Sequence, residues 1–160
     1  MIVRFAKNED VPAILALLQQ VGRLHHEGRP DLFRSDAQKY GASQVIRMLE
    51  DPDQPIFIAA EEDAVLGYGF CQIKTHTQNP VFHDYTELYI DDICVDKTQR
   101  SKGGGSAIYE EILRYGKKRK CHNITLNVWS FNKQAMAFYE KCGLKPQRIF
   151  METVLENQDA

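Results

Sequence analysis

The stretch Ile93-Cys94-Val95-Asp96-Lys97-Thr98-Gln99-Arg100-Ser101-Lys102-Gly103-Gly104-Gly105-Ser106 decides how the chain is read. It starts as the end of an apolar strand. It ends as the start of a helix, Gly103 to Arg119, with Ile108, Ile112 and Tyr115 on one side. Three consecutive glycines let backbone amides approach a ligand closely and adopt positive φ. The helix N-terminus adds free N–H donors and a partial positive charge, and Arg100 and Lys102 add full charges. Together they suit a pyrophosphate, although a flexible glycine turn explains the loop alone equally well. Two familiar phosphate signatures fail. A P-loop needs its Lys directly after the last glycine, and here Lys102 precedes them. A dinucleotide fingerprint needs a third glycine where Ile108 stands.

The strand leading into this loop, Thr86 to Val95, breaks its own alternation. Leu88 and Ile90 are apolar at even positions, Ile93 and Val95 at odd ones. The side-chain period of a strand is two, so one face cannot hold both sets. A β-bulge near Asp91-Asp92 adds one residue and resets the parity; a strand buried on both faces is the other solution. A bulged, splayed strand leaves backbone groups free to pair with an amide-bearing ligand as with another strand.

Working outward, Met1 to Ala6 is a strand, and Asn8 or Asp10 caps the helix that follows. That helix carries Val11, Ile14, Leu17, Leu18, Val21 and Leu24 on one face. His25 to Ser35, with Gly28 and Pro30, reads as a loop. Ser35 or Asp36 caps a second helix reaching about Glu50. Ile56 to Ala60 and Val65 to Lys74, joined by a polar turn, form a hairpin. Thr75 to Asp84 is a loop, His122 to Trp129 a strand, and Asn132 to Lys141 a helix closed by Gly143. Leu144 to Leu155 is mostly extended. Helices interleaved with strands imply an α/β or α+β sheet with helices on its faces.

The chain has 160 residues, 43% of them hydrophobic and 26% charged, with a formal net charge of -2. This fits one domain spanning residues 1–160 and argues against a nucleic-acid partner, which calls for a basic excess. The four cysteines are scattered singly, which points away from a metal site or a disulfide framework. No apolar run approaches a bilayer span, so the reading is of a cytoplasmic protein with no membrane partner.

The glycine loop and Asn132-Lys133-Gln134-Ala135-Met136-Ala137-Phe138-Tyr139-Glu140-Lys141-Cys142-Gly143-Leu144 together resemble two motifs of the GNAT family of N-acetyltransferases. The first motif is Gln or Arg, two residues, Gly, one residue, then Gly or Ala. The second is Asn-x-x-Ala-x-x-Phe-Tyr-x-x-x-Gly followed by Phe or Leu. Departures are mild: Ser101 stands where Gly is frequent, and Gly104 where a branched apolar residue is frequent. The resemblance implies a mixed, mostly antiparallel central sheet of about six to seven strands, a splayed, bulged central strand and about four helices. It implies acetyl-CoA as cosubstrate, without a metal, and direct attack by an amine. The cofactor-binding positions it implies are Ile93, Cys94 and Val95, then Arg100, Ser101, Lys102, Gly103, Gly104, Gly105 and Ser106, and finally Asn132 and Tyr139. Asn132 is otherwise a plain N-cap.

Tyr139 is the candidate acid for the departing thiolate. Asp91 and Asp92 are candidate bases, resembling an acidic pair of diamine acetyltransferases; Glu87 is a third option. His25, His26 and the Arg29 to Phe33 segment fall on the acceptor side. The basic run Lys117 to Lys120 reads as a solvated helix end. The extended C-terminal segment and the resemblance also suggest a homodimer. A catalytically weak CoA-binding or regulatory module of the same fold is the alternative to an enzyme.

Overall fold

The computed structural model describes residues 1–156. Five strands form one sheet in chain order: β1 (Ile2–Phe5), β2 (Ile56–Glu61), β3 (Ala64–His76), β4 (Tyr85–Val95) and β5 (Asn123–Leu126). The first four pair antiparallel and β5 runs parallel to β4. The four helices are α1 (Val11–Gly28), α2 (Ala42–Leu49), α3 (Gly104–Lys118) and α4 (Lys133–Lys141).

β2 is buried at every position but its last because both of its faces are covered. One face packs under α1 and α2, where Ile14, Leu17, Leu18 and Val45 meet Ile56, Ile58, Tyr68 and Phe70. The other packs under α3, where Ile108 and Ile112 meet Phe57, Ala59, Leu88 and Ile90. Burying such side chains stabilises a fold by roughly 1.5–3 kcal/mol each.

Several expectations are corrected. The sheet has five strands, not six to seven, because residues 144–156 make no ladder with this chain. α1 runs on to Gly28, through the expected loop at His25, and Arg29 N–H closes its end on His25 O. Its last turn loses the apolar stripe yet keeps its helical bonds, because its polar side chains find partners in the loop beyond. α2 starts at Ala42, not near Asp36. Its entry is Gly41, whose N–H donates to Gln44 Oε1 at 2.8 Å, so the reciprocal half of a capping box holds it. Asp10 is spent on Arg4, in two bonds of 2.7 and 2.9 Å, and on Lys7 N–H, so it makes no side-chain cap to α1. β5 is half the expected length.

Candidate active site

The parity break in β4 is a bulge. Phe70 pairs with Asp92 while its neighbour Cys71 pairs with Ile90, leaving Asp91 as the extra residue. Beyond it Ile93 joins Leu88 and Ile90 over α3, and Val95 lies beside the backbone of Gly104 and Gly105. The bulge also ends the β4–β5 ladder. Pairing runs from Glu87↔Asn123 to Ile90↔Leu126 and goes no further, while β4 continues five residues to Val95. A wedge therefore opens between residues 91–95 and the chain after Leu126. At its narrow end Asn127 Nδ2 donates to the Tyr89 hydroxyl at 3.0 Å.

At the other end of the wedge lies the glycine loop. Gln20 of α1 ties down its start, donating to Val95 O at 3.1 Å and accepting from Lys97 N–H at 3.2 Å. Ser101 and Gly103 both take left-handed φ, +65° and +84°. Gly103 is the N-cap of α3, which has no side-chain cap and no acid in its first turn. The first-turn amides thus keep their donors for an outside acceptor. Arg100, Ser101, Lys102, Gly103 and Ser106 are exposed around this end; Lys102 Nζ donates to Gln99 Oε1. Gly104 is buried, and a Cβ on Gly105 would come within 3.2 Å of the Phe138 ring. Gly105 is therefore needed first for the approach of α4 to α3.

α4 brings the third set. Asn132 Oδ1 accepts the Ala135 N–H at 3.1 Å, a helix N-cap that leaves its amide nitrogen free. Gly143, at φ +95°, ends the helix as expected. Burial pushes the Tyr139 hydroxyl well above its usual range, and the charge of Asp92 adds to this. Tyr139 thus remains a proton donor at every physiological pH.

The acidic pair divides its partners. Asp91, nearly buried, accepts from Lys39 Nζ at 2.7 Å and from the Tyr40 hydroxyl at 2.6 Å. Asp92 accepts from the Tyr68 hydroxyl at 2.5 Å. Burial pushes the Asp92 carboxyl up to about 6, against the lowering pull of the Tyr68 bond and of Lys39. A carboxylate that releases its proton near neutrality is suited to take one from an ammonium group. Cys94, just beyond, is pushed by burial up to about 12 and is no thiolate.

The other sequence candidates fall elsewhere. Glu87 is bonded to His76 Nε2 and Thr125 Oγ1, both at 3.2 Å, on the paired part of β4. His25 stacks on Phe33 at 4.9 Å in an aromatic cluster with Trp129 and Phe131, where burial lowers its pKa. His26 Nδ1 bonds Phe33 O at 2.7 Å. Arg119 of the basic run is paired with Asp53 at 2.9 Å. Sequence reasoning missed Tyr68, Lys39 and Tyr40. Tyr68 carried a signal, being the one hydroxyl in the buried run of β3 and so in need of a partner; Lys39 and Tyr40 carried none.

Comparison with known proteins identifies the family. A sequence model of the Acetyltransferase (GNAT) family matches residues 18–144. The chain is 24% identical over 151 residues to thialysine N-epsilon-acetyltransferase of Bos taurus, covering 89% of this chain and 83% of that one. Its structure superposes on a mutant of the BH1408 protein from Bacillus halodurans with a TM-score of 0.93 and 30% identity, over 98% of this chain and 100% of the other. It shares its fold with the aminoglycoside N-acetyltransferase AAC(6')-Iy, solved in complex with CoA, at a TM-score of 0.72 and 12% identity, over 97% and 99% of the two chains. The family model covers most of the chain, and the chain belongs to the acetyltransferase (GNAT) family.

Proposed function

We propose that this enzyme moves the acetyl group of acetyl-CoA to a primary amine that carries positive charge, on a small molecule or a protein, by direct attack. The observation that carries the acceptor is the Lys39–Asp91 pair: the acid at the bulge already holds a primary ammonium, that of the chain's own Lys39. A cationic amine can take the same place.

Roles follow from the chemistry of each group. The free amides of Gly103 to Ser106, with Arg100 and Lys102, suit the pyrophosphate. Residues Ile93, Cys94 and Val95 on the open edge of β4 suit the amide groups of the pantetheine arm, with Asn132 opposite. The thioester supplies the activated acetyl group. Asp91 holds the acceptor and Asp92 takes its proton, directly or through water. A β4 amide near Ile93 or Cys94 bonds the carbonyl oxygen as it gains charge, and Tyr139 gives its proton to the departing sulfur. The four free cysteines fit a reducing cytoplasm, and the reading includes a homodimer.

The experiment is thiol release from acetyl-CoA, followed with a thiol reagent across a panel of amines. Turnover with cationic primary amines and none with neutral ones is expected. Tight CoA binding with no turnover on any amine would replace the enzyme with a CoA-binding module.

A further inference from the structure

Lys39 lies in the connection between α1 and α2, in a stretch without helix or strand. Both of its neighbours are tied down. Gln38 accepts from Gln19 Nε2 of α1 at 3.2 Å and donates to Tyr40 O at 2.9 Å. Tyr40 packs its ring on Phe70, with 5.4 Å between centroids, and donates its hydroxyl to Asp91. The backbone on either side of Lys39 is therefore held, and its ammonium reaches the bulge of β4, where Nζ donates to Asp91 Oδ1 at 2.7 Å.

Among the described residues lysine makes two ion pairs. Lys7–Glu9, at 4.0 Å, has both side chains mostly in solvent, whereas Lys39–Asp91 joins a half-exposed lysine to an acid only 9% exposed. The nearly dry acid makes the second the firmer contact. The Lys39 charge also acts beyond its partner. Burial raises the Asp92 carboxyl, and the Tyr68 bond and then the Lys39 charge draw it back. Burial lowers the His25 ring, and the Lys39 charge adds to this. Lys39 thus stands close enough to Asp91, Asp92 and His25 to act on all three. An ammonium has three donors, and among the described residues Asp91 is the one hydrogen-bond partner of this one.

We infer that Lys39 is a substrate of its own chain: with acetyl-CoA bound, the enzyme transfers an acetyl group to Lys39 Nζ in cis. The inference rests on the proposed function and adds a named acceptor to it. The flexible four-carbon stem lets Nζ turn from Asp91 toward Asp92 without moving the held backbone. One ammonium proton passes to Asp92, and the nitrogen lone pair forms the bond to the thioester carbonyl carbon. The C–S bond breaks, and the sulfur leaves with its electron pair and takes the Tyr139 proton. The second nitrogen proton goes back to the Tyr139 oxygen, and Asp92 releases its own to water. The products are an acetamide at Lys39, free CoA and one proton. Proximity favours the step, because a tethered amine meets the thioester at an effective concentration that a distant lysine does not reach. The charge that Asp91 stabilises on the nitrogen opposes it. Acetylation removes that charge and so the ion pair, leaving Asp91 with the Tyr40 hydroxyl and an open place for a cationic acceptor.

The test is mass spectrometry of the full chain incubated with isotope-labelled acetyl-CoA and no added amine, with peptide mapping to place the label. Lys7 is the internal control: it lies before α1, whose far end carries His25, and its side chain is at least as exposed as that of Lys39. Lys39 is expected to take one label at least ~10-fold faster than Lys7, at a rate per chain that does not change with protein concentration. Asp92→Asn is expected to remove this advantage of Lys39 and leave the slow labelling of Lys7 in place, with circular dichroism as the check on folding. Labelling of Lys39 no faster than Lys7 overturns the inference. So does an unchanged rate in Asp92→Asn, or a rate that rises with protein concentration, which would make a second copy the donor. An acetyl group already on Lys39 in the purified chain supports the inference when the Asp92→Asn chain from the same cells lacks it, and overturns it when both carry it. Thiol release with added amines separates the two readings. Turnover of a cationic amine with Lys39 unlabelled sinks self-acetylation and leaves the proposed function standing. Label on Lys39 without turnover of any added amine keeps self-acetylation and removes the free acceptor, and neither label nor turnover sinks both.

Discussion

Asp92→Asn should make the protein more stable and nearly inactive, and the stability gain should depend on pH. The Asp92 carboxyl has a pKa of about 6 in the fold against 3.8 when unperturbed, with burial as the first cause. A carboxyl with a raised folded pKa binds its proton more tightly when folded. The contribution of Asp92 to stability is therefore most favourable at low pH and falls as pH rises from about 3.8 through about 6. Above that window the ionised group costs the fold about 3 kcal/mol, and near pH 4.5 only about 1 kcal/mol. Asn removes the charge and can still accept the Tyr68 hydroxyl. The variant should thus gain about 2 kcal/mol more at pH 8 than at pH 4.5, equivalent to roughly 4–8 °C in Tm for a chain of this size. Thermal unfolding at the two pH values reads the difference directly. Turnover should fall by roughly 100-fold or more with loss of the base, and kcat/KM of the unsubstituted enzyme should rise through about pH 6. An equal gain at both pH values, or a loss greater at pH 8, would refute the reasoning, because the carboxylate would then be stabilised by its partners rather than strained by burial.

Tyr139→Phe should lower kcat by roughly 10- to 100-fold with acetyl-CoA affinity unchanged by calorimetry; an equal loss in binding would make Tyr139 a packing residue. Gly103→Asp puts a side chain at φ +84° and a negative charge at the uncapped α3 terminus. It should cost about 1–2 kcal/mol of stability and abolish CoA binding, measured by calorimetry, while Gly103→Ala should carry the backbone cost alone. Lys39→Ala should lower KM for a cationic acceptor, because its ammonium no longer competes for Asp91; steady-state kinetics against a polyamine checks this, and a raised KM would give Lys39 a positive role in the site.

What was legible in the sequence is what a few neighbouring residues determine. The switch from Leu88 and Ile90 to Ile93 and Val95 located the bulge, since parity is a local property, and the structure puts the extra residue at Asp91. The glycine run located the left-handed entry to α3, and Asn132 and Gly143 located the ends of α4. What was not legible depends on residues far apart in the chain. Nothing near Asp91 announces that Lys39 and Tyr40, some fifty positions earlier, would close on it. The charge of a carboxyl likewise cannot be read locally, because the burial that raises Asp92 comes from the packed elements around it. The strand count failed for a similar reason: Leu144 to Leu155 has the composition of a strand, but residues 144–156 pair with no strand of the described sheet.

The central claim is that the wedge between residues 91–95 of β4 and the chain after Leu126, with the glycine loop at its far end, is the acetyl-CoA site. A crystal structure of the chain with CoA tests it most directly. The account predicts the pyrophosphate on the amides of Gly103 to Ser106, the pantetheine arm along residues 93–95, and the thiol between Tyr139 and the Asp91–Asp92 pair. CoA bound anywhere else, or in the wedge with its thiol turned away from Tyr139 and Asp92, would contradict it.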